Sequence, residues 1–449
     1  MKRTFIILAT LALTAVSAGA QSFQQALFLD GYQLGYRYNP ALAGETGFLS
    51  IGQWENQSRN NIGAASFLYP RNGEVVTALH ESVTADEFLG SLKDNNYLTG
   101  NIHFNLFSYG WKSDKAYHTL EAGLRAYYSA SVPKEIFSIL KLGTDAKDYD
   151  LSGMGVAGNA VVELAYGYSR KLSDLISVGA RAKLLVGIEA LRYNVTRFDL
   201  TFSADVYQAQ VEADLDLTSR WSKVRPDDEG YLNFSDRSKK ESWKLPSGGG
   251  VAVDLGVVVT PVEGLAVSAS VLDLGGILWY YGNAGKSKGT TTFTGMDSLT
   301  MEDIKAGNLK EQFNDELDDF VRSIKLKSIK GRTAFEAVPV RVNLGARYEL
   351  PFYRPLAVGA TGTWYEMRGM PYSEIRGVIA WNPYSWLSVA ADAGAGTYGA
   401  LWGFSANAAV KQFRLTLAMS NGFGGTVPYS STPLKPNNKV LTIGMTYDL

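Results

Sequence analysis

"SVGARAKLLVGIEAL" (Ser177–Leu191) carries two different messages on alternating residues. One phase reads Val178, Ala180, Ala182, Leu184, Val186 and Ile188, and the other Gly179, Arg181, Lys183, Leu185, Gly187 and Glu189. A helix would gather apolar residues every three or four positions, so a period of two marks an extended strand with one apolar face. The run is also longer than the five or six residues usual in a soluble strand.

The pattern recurs along the chain. Leu120, Ala122, Leu124, Ala126 and Tyr128 alternate with Glu121, Gly123, Arg125 and Tyr127. Val340, Val342, Leu344, Ala346 and Tyr348 alternate with Arg341, Asn343, Gly345, Arg347 and Glu349, and Leu441, Ile443, Met445, Tyr447 and Leu449 alternate with polar or small residues. Short turns (Lys171–Asp174, Pro261–Gly264, Tyr353–Pro355, Asn382–Ser385) alternate with long polar loops. Tight turns on one side and long loops on the other are the habit of membrane-spanning β-barrels. Composition agrees: the chain has 25 Tyr, 20 Phe, 9 Trp and 46 Gly with only 19% charged residues, and its mean hydropathy is near zero. It lacks cysteine, so no disulfide framework or lipid-anchored cysteine is available.

These features predict an all-β protein, a transmembrane antiparallel β-barrel of about 14 strands, an even number as single-chain barrels require. Strand centres fall near 50, 104, 124, 162, 184, 255, 271, 343, 361, 378, 391, 404, 416 and 443. Residues 192–222 read as two further strands, an external hairpin or else part of a 16-stranded wall. The expected layout is a signal peptide over 1–20, an N-terminal hatch over 21–45 and a barrel over 46–449, with long external insertions at 192–247 and 283–334. Lys2 and Arg3, the apolar run Phe5–Val16 and the Ala18–Gly19–Ala20 cleavage site, with Ala18 and Ala20 as its small residues, make up the signal peptide. Export and a barrel together predict the bacterial outer membrane, with its lipid as surroundings.

Three helices are expected in external loops. A capping box at Thr84–Glu87 opens one ending near Lys93, Pro133 opens another through Leu142, and Leu309, Phe313, Leu317, Phe320, Val321 and Ile324 mark the face of a third. The acidic side of the third matches no calcium-loop spacing and reads as a solvated face.

Covalent chemistry finds no support. Gly153, Gly155 and Gly158 match a dinucleotide-binding spacing, but a polar loop precedes them and a strand follows, the wrong context for that site. His80 falls in a loop, His103 shares the lumen phase with Asn101 and Asn105, and His118 shares the lipid phase with Leu120, so no two histidines serve one site. We therefore expect no enzyme activity, no catalytic residue, no metal site and no cofactor. A formal net charge of −1 argues against nucleic acid as a partner.

Charge remains on the inward phase. Arg125, Arg181, Lys183, Arg341, Arg347 and Arg376 face Glu121, Glu163, Glu189 and Glu349. Two readings stand: the groups neutralise one another and brace the barrel, or the cations clamp the headgroup of an amphipathic ligand.

Ahead of the first strand lies "YRYNPALAGE" (Tyr36–Glu45). Pro40 lacks an N–H and restrains Asn39, so this stretch is no central strand. It is either a hatch in the lumen or an ordinary turn. Its "NPALAG" (Asn39–Gly44) resembles the NPA signature of FadL-like hydrophobic-compound transporters and of PorV- and PorP-like barrels. "VLDLGGILWYY" (Val271–Tyr281) resembles a strand of an uncharacterised Bacteroidetes-type family of FadL-like outer-membrane barrels. The resemblance implies a 14-stranded barrel with Asn39, Pro40, Ala41, Leu42 and Gly44 in a hatch or gate, and a lateral gap in the wall. It also implies passive uptake of a hydrophobic or amphipathic small molecule. The alternative is a PorV/PorP-like surface platform for an exported protein partner, without transport.

Overall fold

The computed structural model describes residues 24–42, 44, 46–143, 148–203, 207–218, 225–233, 246–293, 325–367, 370–397, 399–421 and 437–449. Ala18, Ala20 and the helix expected over 309–324 lie outside the described residues.

Fourteen antiparallel strands close into one barrel. They are β1 (Phe48–Ser50, continued by Gln53–Asn60), β2 (Asn95–Ser113), β3 (Ala116–Pro133), β4 (Gly155–Lys171) and β5 (Ile176–Phe202). Next come β6 (Gly248–Val262), β7 (Leu265–Tyr280), β8 (Thr333–Ala337, continued by Arg341–Glu349), β9 (Leu356–Met367) and β10 (Met370–Tyr384). The last are β11 (Leu387–Gly396), β12 (Gly399–Val410), β13 (Phe413–Ser420) and β14 (Asn437–Asp448). Closure comes from β1 on β14, with Phe48 opposite Asp448 and Trp54 opposite Ile443. Every expected strand centre falls inside one of these strands. Closing the sheet leaves no edge, so the wall satisfies its own backbone without water.

The alternation reports which way each side chain points. Leu120, Leu164, Leu184, Leu255, Leu344 and Ile443 are all exposed on the outer wall. Their inward neighbours Glu121, Glu163, Lys183, Asp254, Asn343 and Thr442 are all buried. Exposed apolar residues on one face and buried polar ones on the other invert a soluble core and make this a membrane-spanning barrel. No helix is long and apolar enough to cross a membrane among the described residues.

Two ends are distinguishable. At the turn end, two-residue hairpins join Ser113 to Ala116 and Val410 to Phe413, with Asp114 and Lys411 at φ 45° and 56°. Positive φ there matches the twist of the flanking strands. Aromatic pairs gird this end: Tyr109 on Trp111 (5.3 Å), Trp111 on His118 (5.1 Å) and Tyr384 on Trp386 (5.4 Å). Amphipathic rings suit the headgroup level.

At the loop end, β5 outruns the barrel. Its extension pairs with Tyr207–Thr218, which pairs in turn with Asn283–Phe293, so the extra strands rise off the wall and the closed count stays at fourteen. Two helices also sit here. Thr84 caps α1 (Ala85–Gly90) by accepting from the Glu87 amide at 3.1 Å, and Pro133 precedes α2 (Lys134–Leu142). With the hairpin Leu68–Arg71/Glu74–Thr77 they bury Tyr69, Val83, Phe88 and Leu92 in a small core of their own.

Candidate functional site

The lumen is filled in three layers. At the turn end the chain from Gln24 to Leu42 crosses it. Leu27, Phe28 and Leu29 pack against a cradle of inward alanines, Ala357, Ala380, Ala390 and Ala418, whose small side chains leave room for them. Tyr36 packs beside Phe48 and Tyr117. Asp30 pairs with Arg347 at 2.8 Å, and the Arg347 guanidinium also donates to the Leu27 carbonyl at 3.3 Å. Asn39 is fully buried. Its Nδ2 donates to the carbonyls of Val257 (3.0 Å) and Ala269 (3.2 Å), while its Oδ1 accepts from the Ala41 amide at 2.9 Å. Pro40 lies against Gly179, where a Cβ would come within 2.2 Å of its carbonyl. Leu42 packs on the margin of the alanine cradle, and Gly44 is hemmed in by Gln33 and Tyr117.

Above this segment lies a layer of buried charge. Arg125 forks onto Asp273 (2.8 and 2.9 Å) and reaches Glu163 at 2.6 Å. Lys183 bonds Asp273 (2.6 Å) and Asp254 (2.8 Å), and Arg181 lies 3.1 Å from Asp254 and 3.4 Å from Glu121. Arg37, from the crossing segment, lies 3.4 Å from Glu121 and 3.8 Å from Glu55 and donates to the ring of His103. Buried charges persist only when paired in this way. His103, Glu121 and Glu163 do converge as a metal site would. The guanidinium groups of Arg37, Arg125 and Arg181 lie against these carboxylates, so three cations already face the cluster as ion-pair partners.

Asp273 enters this lattice through a bulge. It holds φ 64°, the register slips between Val253 and Leu255 on the facing strand, and its own amide donates to Asp254 at 2.8 Å. Leu272 and Asp273 are consequently both buried, and beyond them Ile277 and Trp279 point inward while Leu274 and Leu278 are exposed.

The third layer is apolar. Trp279, wholly buried, lies with Ile277, Leu185, Val161, Val338 and Tyr365. Gly187 and Gly248 make room for the indole, since a Cβ on Gly187 would fall 2.5 Å from it.

Above this layer is a cavity of about 800 Å³ at a break in the wall. Thr333–Ala337 pairs with β7 only, β8 resumes its pairing to β9 at Arg341, and Val338–Pro339–Val340 lies between. Pro339 has no N–H to offer a ladder, which suits it to such an interruption. The cavity is lined by inward Ser129 and Val338 and also by Phe335 and Trp364, which are exposed on the outer wall, so it reaches both faces. Arg192, Asp214 and Glu366 add charge at its mouth. Nearby, Asp216 ties the outer strands to the wall, accepting from Arg332 (2.8 Å) and from Arg192. Burial raises the Asp216 carboxyl, but the hydrogen bonds from Arg332 and Arg192 outweigh it and hold the group below the usual carboxylate range.

The six cations singled out from the sequence occupy different places. Arg125, Arg181 and Lys183 share the middle lattice. Arg376 forms a second knot with Glu374 (2.9 Å) and Asp392 (2.5 Å). Arg341 stacks over Tyr365 at 5.2 Å, and Arg347 holds the crossing segment. Glu189 departs from its expected inward position: the register slips at Ile188, so Ala190 is buried and Glu189 is half-buried. Asp254, Asp273, Asp392, Glu374 and Arg37 were not singled out. Asp254 was readable, since it shares the phase of Ala252 against Val251, Val253 and Leu255.

Fold and lumen together define a closed membrane barrel whose interior is crossed by residues 24–42 and by a layer of paired charge. The profile of the Family of unknown function (DUF5723) matches residues 40–420, and the chain belongs to that family. A search of curated proteins finds no match. Among solved structures, the chain is similar to the toluene transporter TbuX of Ralstonia pickettii at 9% identity and a TM-score of 0.43, covering 97% of this chain and 98% of that one. It is similar to the Pseudomonas putida toluene transporter TodX at 10% identity and a TM-score of 0.41, covering 97% and 96%. A Pseudomonas aeruginosa FadL homologue matches at 10% identity and a TM-score of 0.41, covering 93% and 96%.

Proposed function

We propose that this protein is an outer-membrane channel for passive uptake of a hydrophobic or amphipathic small molecule. The molecule enters the cavity at the loop end, which faces the cell exterior, and leaves sideways at Val338–Val340. The observation that carries this reading is the cavity of about 800 Å³ lined from both faces of the wall and seated above a lumen filled with paired charge. An apolar molecule moving straight down would have to part buried ion pairs, each costing several kcal/mol to break. A sideways path through the interrupted strand avoids them and ends in lipid. Residues 24–42, with Asn39, Pro40, Ala41 and Leu42, and Gly44 just beyond, act as the hatch that keeps the turn end shut.

The test is mass spectrometry of small molecules copurifying with the detergent-extracted barrel, compared with Val338→Arg, which places a charge in the cavity. Enrichment of apolar molecules in the wild type and its loss in the variant is expected. No enrichment in either sample would sink the reading.

A second reading, a surface platform for an exported protein, draws on a different observation. Val75, Leu79, Leu140 and Leu142 are exposed on the outer helical cap, and Lys141 brings them together by donating to the carbonyls of Ala78 (2.8 Å) and His80 (2.9 Å). Exposed apolar patches of this kind suit protein contacts.

A further inference from the structure

We infer that the outer wall at the turn end of β4 and β5 seats one anionic phospholipid, its phosphate at Arg170 and an acyl chain running between Tyr168 and Leu255. The inference needs only the membrane barrel and stands apart from the uptake reading.

Unpaired charge marks the place. At the turn end Arg347, Arg354 and Arg414 are met by Asp30, Glu263 and Asp448. Lys112, Lys115, Arg170 and Lys171 are exposed and enter no ion pair among the described residues. All four stand on or beside two neighbouring turns, 113–116 and 171–176, where Asp114 and Asp174 are the only carboxylates. A basic cluster at the headgroup level attracts anionic lipid. A zwitterionic head would bring its own ammonium to the same cations, so a lipid of net negative charge is preferred.

The strand register turns this attraction into a seat. Arg170 is on the lipid-facing phase of β4, following Leu164, Tyr166 and Tyr168. Its cross-strand partners Ala116 and Val178 offer the guanidinium no side-chain acceptor, and its fork suits a phosphate. One lipid-facing position further in, Ala180 lies between Tyr168 and Leu255, and at the next Ala182 lies between Tyr166 and Val253. Both alanines are exposed, as are the four larger side chains beside them. With strands about 4.8 Å apart, the two ridges stand about 10 Å from each other over an alanine floor, a furrow wide enough for one acyl chain. The β4 ridge is braced: the Tyr166 hydroxyl is hydrogen-bonded to His118 Nδ1 at 2.8 Å, and Trp111 stacks on His118 at 5.1 Å.

The test places the full barrel in nanodiscs of equimolar phosphatidylglycerol and phosphatidylethanolamine and reads the lipids it retains by native mass spectrometry. Phosphatidylglycerol should be enriched about fivefold among them, the worth of a single cation at a membrane surface. Arg170→Gln should return the retained lipids to the composition of the mixture. Lys411→Gln, which removes an exposed cation from a different turn, should leave the enrichment intact. Ala182→Phe fills the furrow without altering charge and should release the lipid; heat-modifiable mobility verifies that the variants fold. No enrichment in the wild type would overturn the inference. So would an equal loss in Arg170→Gln and Lys411→Gln, which would mark diffuse charge, or full retention in Ala182→Phe.

Discussion

Gly179 on β5 and Gly256 on β6 are direct cross-strand partners, and the space above the pair is taken by Asn39 and Pro40. A Cβ on Gly256 would fall 1.9 Å from Asn39 Oδ1, closer than any real contact. The crossing segment is therefore seated on bare backbone, with the Asn39 amide bonding two carbonyls of the adjoining β6–β7 ladder. Gly256→Val should unseat it at a cost of about 1–3 kcal/mol, the usual range for overpacking. Amide hydrogen exchange should then quicken across residues 24–42 while the strands stay protected. Unchanged protection of that segment would show that Asn39 is held elsewhere.

The lattice of charge gives a second expectation. Arg125→Ala leaves Asp273 and Glu163 buried without their guanidinium, a loss of about 3–5 kcal/mol. The temperature at which the folded band converts on a heated gel should fall clearly. Arg354→Ala removes only the exposed pair with Glu263 and should leave that temperature where it was.

Trp279 supplies a third. Its indole is wholly buried on glycine backbone, so Trp279→Ala opens a hole and should cost about 3–5 kcal/mol. Denaturant unfolding in detergent should show a lower midpoint. A midpoint equal to that of the wild type would contradict the packed upper layer.

Asp216 makes the outer strands sensitive to acid. Its folded pKa is depressed, so its contribution is present above the unfolded value of about 3.9 and is lost as pH falls through the folded one. Protection of Tyr207–Thr218 against hydrogen exchange should therefore fall on acidification below about pH 4. Asp216→Asn should remove that pH dependence, along with part of the protection at neutral pH.

Most of the wall was legible because a barrel strand displays its two environments on alternate residues. Arg181 and Lys183 face inward simply because Ala180, Ala182 and Leu184 face lipid. What escaped the sequence lies at bulges. Asp273 is out of phase with Ser268 and Ser270 because one extra residue is inserted before it, and no local pattern announces an insertion that depends on the facing strand. The slip at Ile188 misdirected Glu189 for the same reason. Arg37 was hidden differently: it belongs to a segment without period, and its partners Glu55 and Glu121 are supplied by strands distant in sequence.

The lattice of paired charge also has an electrical meaning. A porin conducts because a column of water runs from mouth to mouth. Here Arg125, Arg181, Lys183 and Arg37 are each matched by carboxylates across the middle of the lumen, and Phe28 and Tyr36 close it below. With the column of water interrupted in this way, a planar bilayer studded with the barrel should stay silent under voltage.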